Sequence, residues 1–284
     1  MLPNCVIKFL EKNPKLVYML RRFLRDFSIL NVKKPRNLSD KIIQMSLQNT
    51  SEEWSILADK YAVREVVKER IGEQYLVPLY GVYDKVEDID YDKLPNSFVL
   101  KTNNGCATNI IVKDKSKLDI VEVNKKLNKW LKYPYGALTG QIHYSKIKPR
   151  VIAEKLLEQK GEESLIDYKF YCVDGEPLCL NVAKNRKQNS HKFKLMFFDI
   201  NWNEILEYVS EADGFELIKD MPKPESFDLM VELVRKLARG YKFVRIDLYE
   251  IDGHPYFGEY TFTPGIMDGC YSPIFREDIF NALK

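Results

Sequence analysis

An Asp-Gly pair between two alternating stretches near the end of the chain limits the fold more than any other feature. The stretch runs Lys242-Phe-Val-Arg-Ile-Asp-Leu-Tyr-Glu-Ile-Asp-Gly-His-Pro-Tyr-Phe-Gly-Glu-Tyr-Thr-Phe-Thr-Pro-Gly265. Asp252-Gly253 supplies the positive φ angles that a two-residue hairpin turn requires. In the first strand Phe243, Arg245, Asp247 and Tyr249 take one side, and Val244, Ile246 and Leu248 the other. In the second, alternation puts Phe257 and Glu259 on one face and Gly258 and Tyr260 on the other. Pairing across the turn can bring Asp247 and Glu259 together. Adjacent carboxylates repel unless a cation lies between them. Mg2+ suits that place, because it takes oxygen ligands and leaves positions open for phosphates. Solvated acids on an exposed face are the competing explanation. Arg245 on the same face, and the Thr263-Pro264-Gly265 turn with its N–H groups, weigh against that explanation.

The chain has 284 residues, 45% hydrophobic and 30% charged, enough for a substantial core in two or three lobes. Its 44 basic and 41 acidic residues are too balanced to imply a nucleic-acid partner. Cys5, Cys106, Cys172, Cys179 and Cys270 are scattered and odd in number, which fits a reducing compartment and no zinc or disulfide framework. His143, His191 and His254 form no ligand cluster. No apolar run reaches the roughly 18 residues of a membrane span. Lys8, Glu11, Lys12 and Lys15 interrupt any signal-peptide core, so the chain reads as cytoplasmic.

Residues 1–36 carry nine basic residues against Glu11 and Asp26, with apolar residues at helical spacing: Leu16, Met19, Leu20, Phe23, Leu24 and Phe27. Such a helix can lie on an anionic membrane surface, at the inner face of the cell membrane, or contact an assembly complex. It can equally pack its apolar stripe onto the body of the protein. Pro35 is expected to end it. Asn37-Leu-Ser-Asp40 caps a helix to about Gln48, and Thr50-Ser51 with Glu52 and Glu53 opens one running to Ile71 and stopped by Gly72. Tyr75-Leu-Val77 reads as a short strand followed by a polar linker through Asp92.

Ser97–Thr102 and Asn109–Val112 read as strands around the loop Asn103-Asn-Gly-Cys-Ala-Thr108. A small-residue loop between strands can fold over an anion, with Lys101 adding charge, although no Gly-Lys-Ser/Thr of a Walker loop is present. A helix spans Asp119–Lys132, and Tyr133-Pro-Tyr-Gly136 mixes aromatics with glycine. Tyr133, Tyr135, His143 and Tyr144 can line an acceptor site or simply pack between helices. Val151-Ile-Ala-Glu-Lys-Leu-Leu157 reads as a buried strand carrying an unusual charged pair. Strands at Asp167–Val173 and Leu178–Ala183 flank Asp174-Gly-Glu-Pro177, and Lys194–Trp202 reads as a further hairpin-like pair. A helix starts near Pro224-Glu-Ser226 and stops at Gly240.

In this order, five segments resemble the ATP-grasp superfamily, and within it the TupA-like branch associated with teichuronopeptide and surface-polysaccharide synthesis. They are Ala58–Arg64, Phe98–Lys101 with its Asn-Asn-Gly loop, Val151–Leu157, Asp167–Lys169, and Val244–Asp247 with Gly258–Gly265. The resemblance implies an α+β ATP-grasp fold, two α+β lobes gripping ATP, after an N-terminal helical extension. The implied division is 1–50 for the extension, 51–150 for the N-terminal and lid part, and 151–284 for the lobe with the metal site.

Residue roles follow from the resemblance. Lys101 would hold ATP phosphates beneath a cover of Asn104, Gly105 and Cys106. Lys60 matches a second phosphate-side lysine, with Arg64 a helical turn away as another candidate. Glu154, Lys155, Leu156 and Leu157 match the hinge that reads adenine. Asp167 would lie near the ribose or phosphates, and Lys169 further in as a catalytic cation. Lys184 and Arg186 would contact phosphate or acceptor. Asp247 and Glu259 match Mg2+ ligands, and Arg245 the arginine that binds the reacting carboxyl group. Thr261 departs from the pattern, standing where the family often has a metal-binding Asn. The implied activity is an ADP-forming carboxylate–amine ligase that joins an amino compound to a sugar-acid carboxyl through an acyl phosphate. Two alternatives stay open at this stage: an ATP-grasp kinase acting on a sugar or polyol, and a glycosyltransferase or scaffold of polysaccharide assembly.

Overall fold

The computed structural model describes residues 2–49, 52–185, 193–210, 216–265 and 271–284. It divides into two compact units, each assembled from separate segments: 1–24, 50–66 and 76–157 in the first, and 25–49, 67–75 and 158–284 in the second.

The first unit holds a four-stranded antiparallel sheet. Its strands β1 (Leu79–Tyr83), β2 (Phe98–Thr102), β3 (Asn109–Val112) and β4 (Val151–Glu154) lie in the order β1-β4-β2-β3. Phe98, Leu100, Val112, Val151 and Ala153 point to one face and are buried against Val123 and Leu127 of a later helix, Ile120–Leu131. The Asp119 side chain caps that helix by accepting from the Glu122 N–H. The opposite face carries Val99, Lys101, Ile152 and Glu154.

Several expectations need correction here. Tyr75 ends a short 3-10 turn, and the strand forms at Leu79–Tyr83, inside the stretch read as a polar linker. Its β-branched and aromatic residues, Tyr80, Val82 and Tyr83, are the signal. β4 stops at Glu154 rather than at Leu157, and the Lys155 N–H crosses to Pro78 O at 2.9 Å. The helix expected over 52–71 is broken in two. The Asp59 carboxylate accepts from the N–H groups of Tyr61 and Ala62, at 2.8 and 3.2 Å, and offers the backbone a turn in place of helix.

The chain begins with α1 (Asn4–Lys12) and α2 (Pro14–Asp26), followed by α3 (Leu38–Gln48), the broken pair α4 (Glu53–Ala58) and α5 (Val63–Arg70), α6 (Ile120–Leu131) and α7 (Tyr135–Thr139). α2 ends at Asp26, nine residues before Pro35, with Phe27 at φ 57°. Its expected core stripe is not buried: Leu16, Met19, Leu20, Phe23, Leu24 and Phe27 are all exposed, while Val17, Tyr18 and Arg22 are buried.

The second unit is built on a six-stranded sheet. Its strands are β5 (Asp167–Val173), β6 (Glu176–Lys184), β7 (Lys194–Asp199), β8 (Glu216–Leu217), β9 (Phe243–Ile251) and β10 (His254–Thr261), in the order β10-β9-β5-β6-β7-β8. All neighbours are antiparallel except β7 and β8. β5 and β6 meet across the two-residue turn Asp174-Gly175, at φ 50° and 83°, so β6 starts at Glu176 rather than Leu178. Lys194–Trp202 is one strand and a turn rather than a strand pair, with the Asp199 carboxylate accepting from Asn201 and Asn203.

Helix α8 (Phe227–Ala238) covers one face, where Phe227 stacks on Phe170 and Tyr260 Oη donates to Leu237 O. α3 and a C-terminal helix, α9 (Pro273–Ala282), pack on the other face against Tyr171, Val173, Cys179, Phe197 and Phe243. α9 has no counterpart among the sequence expectations. Ser272 caps it by accepting from the Phe275 N–H, and Pro273 follows at the first turn.

Candidate active site

Each unit carries one charged sheet face, and the two hold most of the residues singled out from sequence. In the second unit the hairpin turn is as expected, with Asp252 at φ 50° and Gly253 at φ 74°. The face assignment of the returning strand is not. A bulge lies between Phe257 and Glu259, so Phe257 pairs with Leu248 while Glu259 pairs with Asp247. Phe257 and Tyr260 therefore share the α8 side, and Glu259 and Thr261 share the face of Asp247 and Arg245. Gly258 is the extra residue. A Cβ there would lie 2.9 Å from Asp247 O, so only glycine allows this close approach.

Registration across four strands then produces a polar row: Glu259 opposite Asp247, Asp247 opposite Lys169, and Lys169 opposite Asn181. Arg245 and Thr261 form the next pair along the same face. Arg245 Nε donates to Asp247 Oδ1 at 2.7 Å, and its Nη2 reaches Asp247 Oδ2 at 2.8 Å, Glu259 Oε1 at 2.9 Å and Thr261 Oγ1 at 3.1 Å. Lys169 Nζ lies 2.6 Å from Asp247 Oδ2 and 3.4 Å from Asp167 Oδ1. Thr261 Oγ1 donates to Glu259 Oε1 at 3.0 Å.

Burial alone would raise the Asp247 pKa, but Arg245 and Lys169 hold it below the usual carboxylate range. Burial opposes the Arg245 charge in turn, and Asp247, with smaller contributions from Tyr171, Glu259 and Tyr271, more than offsets it. The Asp247 side chain is 2% exposed and that of Glu259 41%, so the row opens to solvent at Glu259.

Three carboxylates on this face meet two cations, leaving room for further positive charge. Among the described residues, no three His, Cys, Asp or Glu side chains converge as a metal cage. The donors present are two carboxylates and a hydroxyl, hard oxygens of the kind Mg2+ takes. Asn181 Oδ1 adds a buried polar atom with no partner, two strands from Asp247. It lies beyond Lys169 in the row and so outside the reach of an ion held by Asp247 and Glu259. These residues fit a divalent cation at the Asp247–Glu259 edge. Lys184 stands apart from the row, with Nζ 2.8 Å from Glu162 Oε1. Arg186 lies outside the described residues.

In the first unit two cations meet one acid, and a third reaches the loop. Lys101 Nζ donates to Glu154 Oε2 at 2.7 Å, and Arg64 Nη1 lies 3.5 Å from Oε1 of the same carboxylate. Lys60, in the break that Asp59 creates, donates to Gly105 O at 2.5 Å. Asn103 anchors the loop: its side chain donates to Asp59 Oδ1 and Lys148 O and accepts from the Arg150 N–H at 2.7 Å. Asn104 Oδ1 is buried without a partner, and Cys106 is exposed. A Cβ on Gly105 would meet only the Tyr135 ring, at 3.7 Å, so the protein's own packing does not require glycine there. Of the hinge residues, Glu154 and Leu157 are buried and Lys155 is exposed. His143 and Tyr144 are buried in ring contacts with each other and with Trp54 and Tyr135, which is the packing alternative.

Sequence reasoning missed Asp59, Asn103 and Asn181. Asn181 left a trace, a lone amide inside the apolar strand Leu178–Ala183. Asp59 left none, because an acid fits any helix surface.

Two largely antiparallel sheets with helices on their faces, one bearing clustered cations and the other an acid–arginine row, fit an ATP-grasp α+β protein. The model of the TupA-like ATP-grasp family matches residues 40–274, and the chain belongs to that family. No curated protein matches the sequence. Among solved structures, D-alanine–D-alanine ligase from Bacillus anthracis aligns with a TM-score of 0.47 at 19% identity, over 80% of this chain and 63% of its own. L-amino acid ligase from Bacillus licheniformis aligns at 0.44 and 14%, over 74% and 41%. Phosphoribosylamine–glycine ligase from Thermotoga maritima aligns at 0.42 and 16%, over 74% and 48%. The chain thus spans less than two thirds of the length of each.

Proposed function

We propose that this chain is an ATP- and Mg2+-dependent carboxylate–amine ligase. It joins an amino compound to a sugar-acid carboxyl group in surface-polysaccharide synthesis, in the cytoplasm, and releases ADP. The observation that carries this reading is the row in which Arg245 bridges Asp247 and Glu259.

A carboxylate is a poor electrophile. Transfer of the γ-phosphoryl group to one of its oxygens makes a mixed anhydride and frees ADP. The amine nitrogen then attacks the acyl carbon, the carbon–oxygen bond to phosphate breaks, and phosphate and a proton depart. Asp247 and Glu259, with Thr261 as a weaker oxygen donor, would hold Mg2+, which neutralises phosphate charge when bound. Lys101 and Lys60 supply positive charge to the phosphates, with Glu154 orienting Lys101 and Arg64. Arg245 Nη1, which has no hydrogen-bond partner among the described residues, is the group left for the substrate carboxylate. The N–H near Gly265 would stabilise the developing oxyanion. The Asn103–Thr108 loop would keep water from the acyl phosphate.

Purified chain with Mg-ATP, a uronic acid and a panel of amines is expected to release ADP, and Asp247→Asn to lower that rate at least about 100-fold. No ADP with any pair, together with an Asp247→Asn variant indistinguishable from the native chain, would sink the reading.

A further inference from the structure

Helix α2 is docked with its apolar side outward. Leu16, Met19, Leu20, Phe23 and Leu24 recur at spacings of three and four and so share one face. Leu20 is 55% exposed and Leu24 71%. The opposite side makes the contacts to the first unit. Tyr18 is buried over Gly140, where a Cβ would stand 3.1 Å from its ring, and Arg21 Nη1 reaches Leu138 O at 3.4 Å. α1 repeats the pattern with Val6 and Phe9 exposed, Leu2 exposed just before it, and no residue of the helix buried. Contiguous exposed apolar surface of this kind marks an interaction face.

Charge decides the partner. Residues 2–24 expose Lys8, Lys12, Lys15 and Arg21 against the single acid Glu11, Arg22 being buried. Two copies of such a segment would repel each other, whereas an anionic surface attracts it. No helix among the described residues is long and apolar enough to cross a membrane. We propose that residues 2–24 dock in the plane of an anionic lipid bilayer, the apolar face at the acyl boundary and the lysines among the headgroup phosphates. The docking needs no catalytic residue and is independent of the ligase reading.

Vesicle co-sedimentation of the full chain tests it, comparing phosphatidylcholine alone with a mixture containing roughly 30% phosphatidylglycerol. The chain is expected to partition onto the anionic vesicles at least about tenfold more strongly. Leu20→Glu with Leu24→Glu, both at exposed positions, should abolish binding without changing the circular dichroism spectrum. Lys8→Glu, Lys12→Glu and Lys15→Glu together should weaken it on the order of tenfold or more. Equal binding to both lipid compositions, or to neither, overturns the proposal. So does a dimer in sedimentation equilibrium that the double leucine variant converts to monomer, since the face would then belong to a second copy of the chain.

Discussion

An Arg245→Met variant is expected to melt roughly 10 °C below the native chain. The Asp247 side chain is 2% exposed and accepts two hydrogen bonds from Arg245 and a third from Lys169. Removing one partner of a buried ion pair costs about 3–5 kcal/mol, and Lys169, 2.6 Å from Asp247, keeps the loss toward the lower end by compensating part of the charge left behind. For a chain of this size each kcal/mol moves Tm by about 2–4 °C. Glu259, 41% exposed, is rehydrated and adds little. Arg245→Lys keeps the charge but not the planar fork, so it should fall between the two. Asp247→Asn combined with Arg245→Met should cost less than the sum of the single changes, since both break the same pair. Thermal melts followed by circular dichroism give all four values. Additive losses would mean that the two side chains do not act as a unit. The pH dependence has a definite sign: the folded Asp247 pKa is depressed, so its stabilisation is present above about pH 4 and is lost as pH falls through the folded value.

His143 should make the chain acid-sensitive in a different window. It is buried against Trp54 and Tyr144, and burial pushes its pKa down to about 4 from the ordinary 6.5. The unfolded chain therefore binds the proton more readily than the folded one. Stability is full above about pH 6.5, falls as pH drops toward 4, and levels off below. Between pH 7 and pH 5 the loss is about 2 kcal/mol. Urea midpoints at the two pH values measure it, and His143→Leu should flatten the slope. A native chain equally stable at pH 5 and pH 7 would contradict this.

The elements legible in the sequence were those whose signals are local. Asp252-Gly253 announced its turn, Asn37 and Asp119 announced their helices, and the alternation of β9 announced its two faces. The errors share a cause, which is that tertiary contacts overrode a local pattern. Strict alternation puts Phe257 with Glu259, but the bulge at Gly258 separates them, and a bulge depends on how the partner strand is approached. The helix over 52–71 has good periodicity throughout. It breaks because Asp59 is committed both to the turn and to Asn103, 44 residues away. The apolar stripe of α2 looked like core, since a soluble helix normally buries such a face. Its exposure is visible only once Tyr18 and Arg22 are seen facing inward. In the polar row, Asp247, Glu259 and Arg245 could be picked out individually. Lys169 as the cation holding Asp247, and Asn181 at the end of the row, needed the strand order.

The most direct test of the proposed chemistry is hydroxylamine trapping. The chain is incubated with Mg-ATP, a uronic acid and hydroxylamine in place of the amine, and hydroxamate and ADP are quantified together. An acyl-phosphate ligase gives hydroxamate in step with ADP, with both lost in Asp247→Asn and Lys101→Met. ADP accompanied by a stable phosphorylated sugar and no hydroxamate would contradict the ligase reading and make the chain a phosphotransferase.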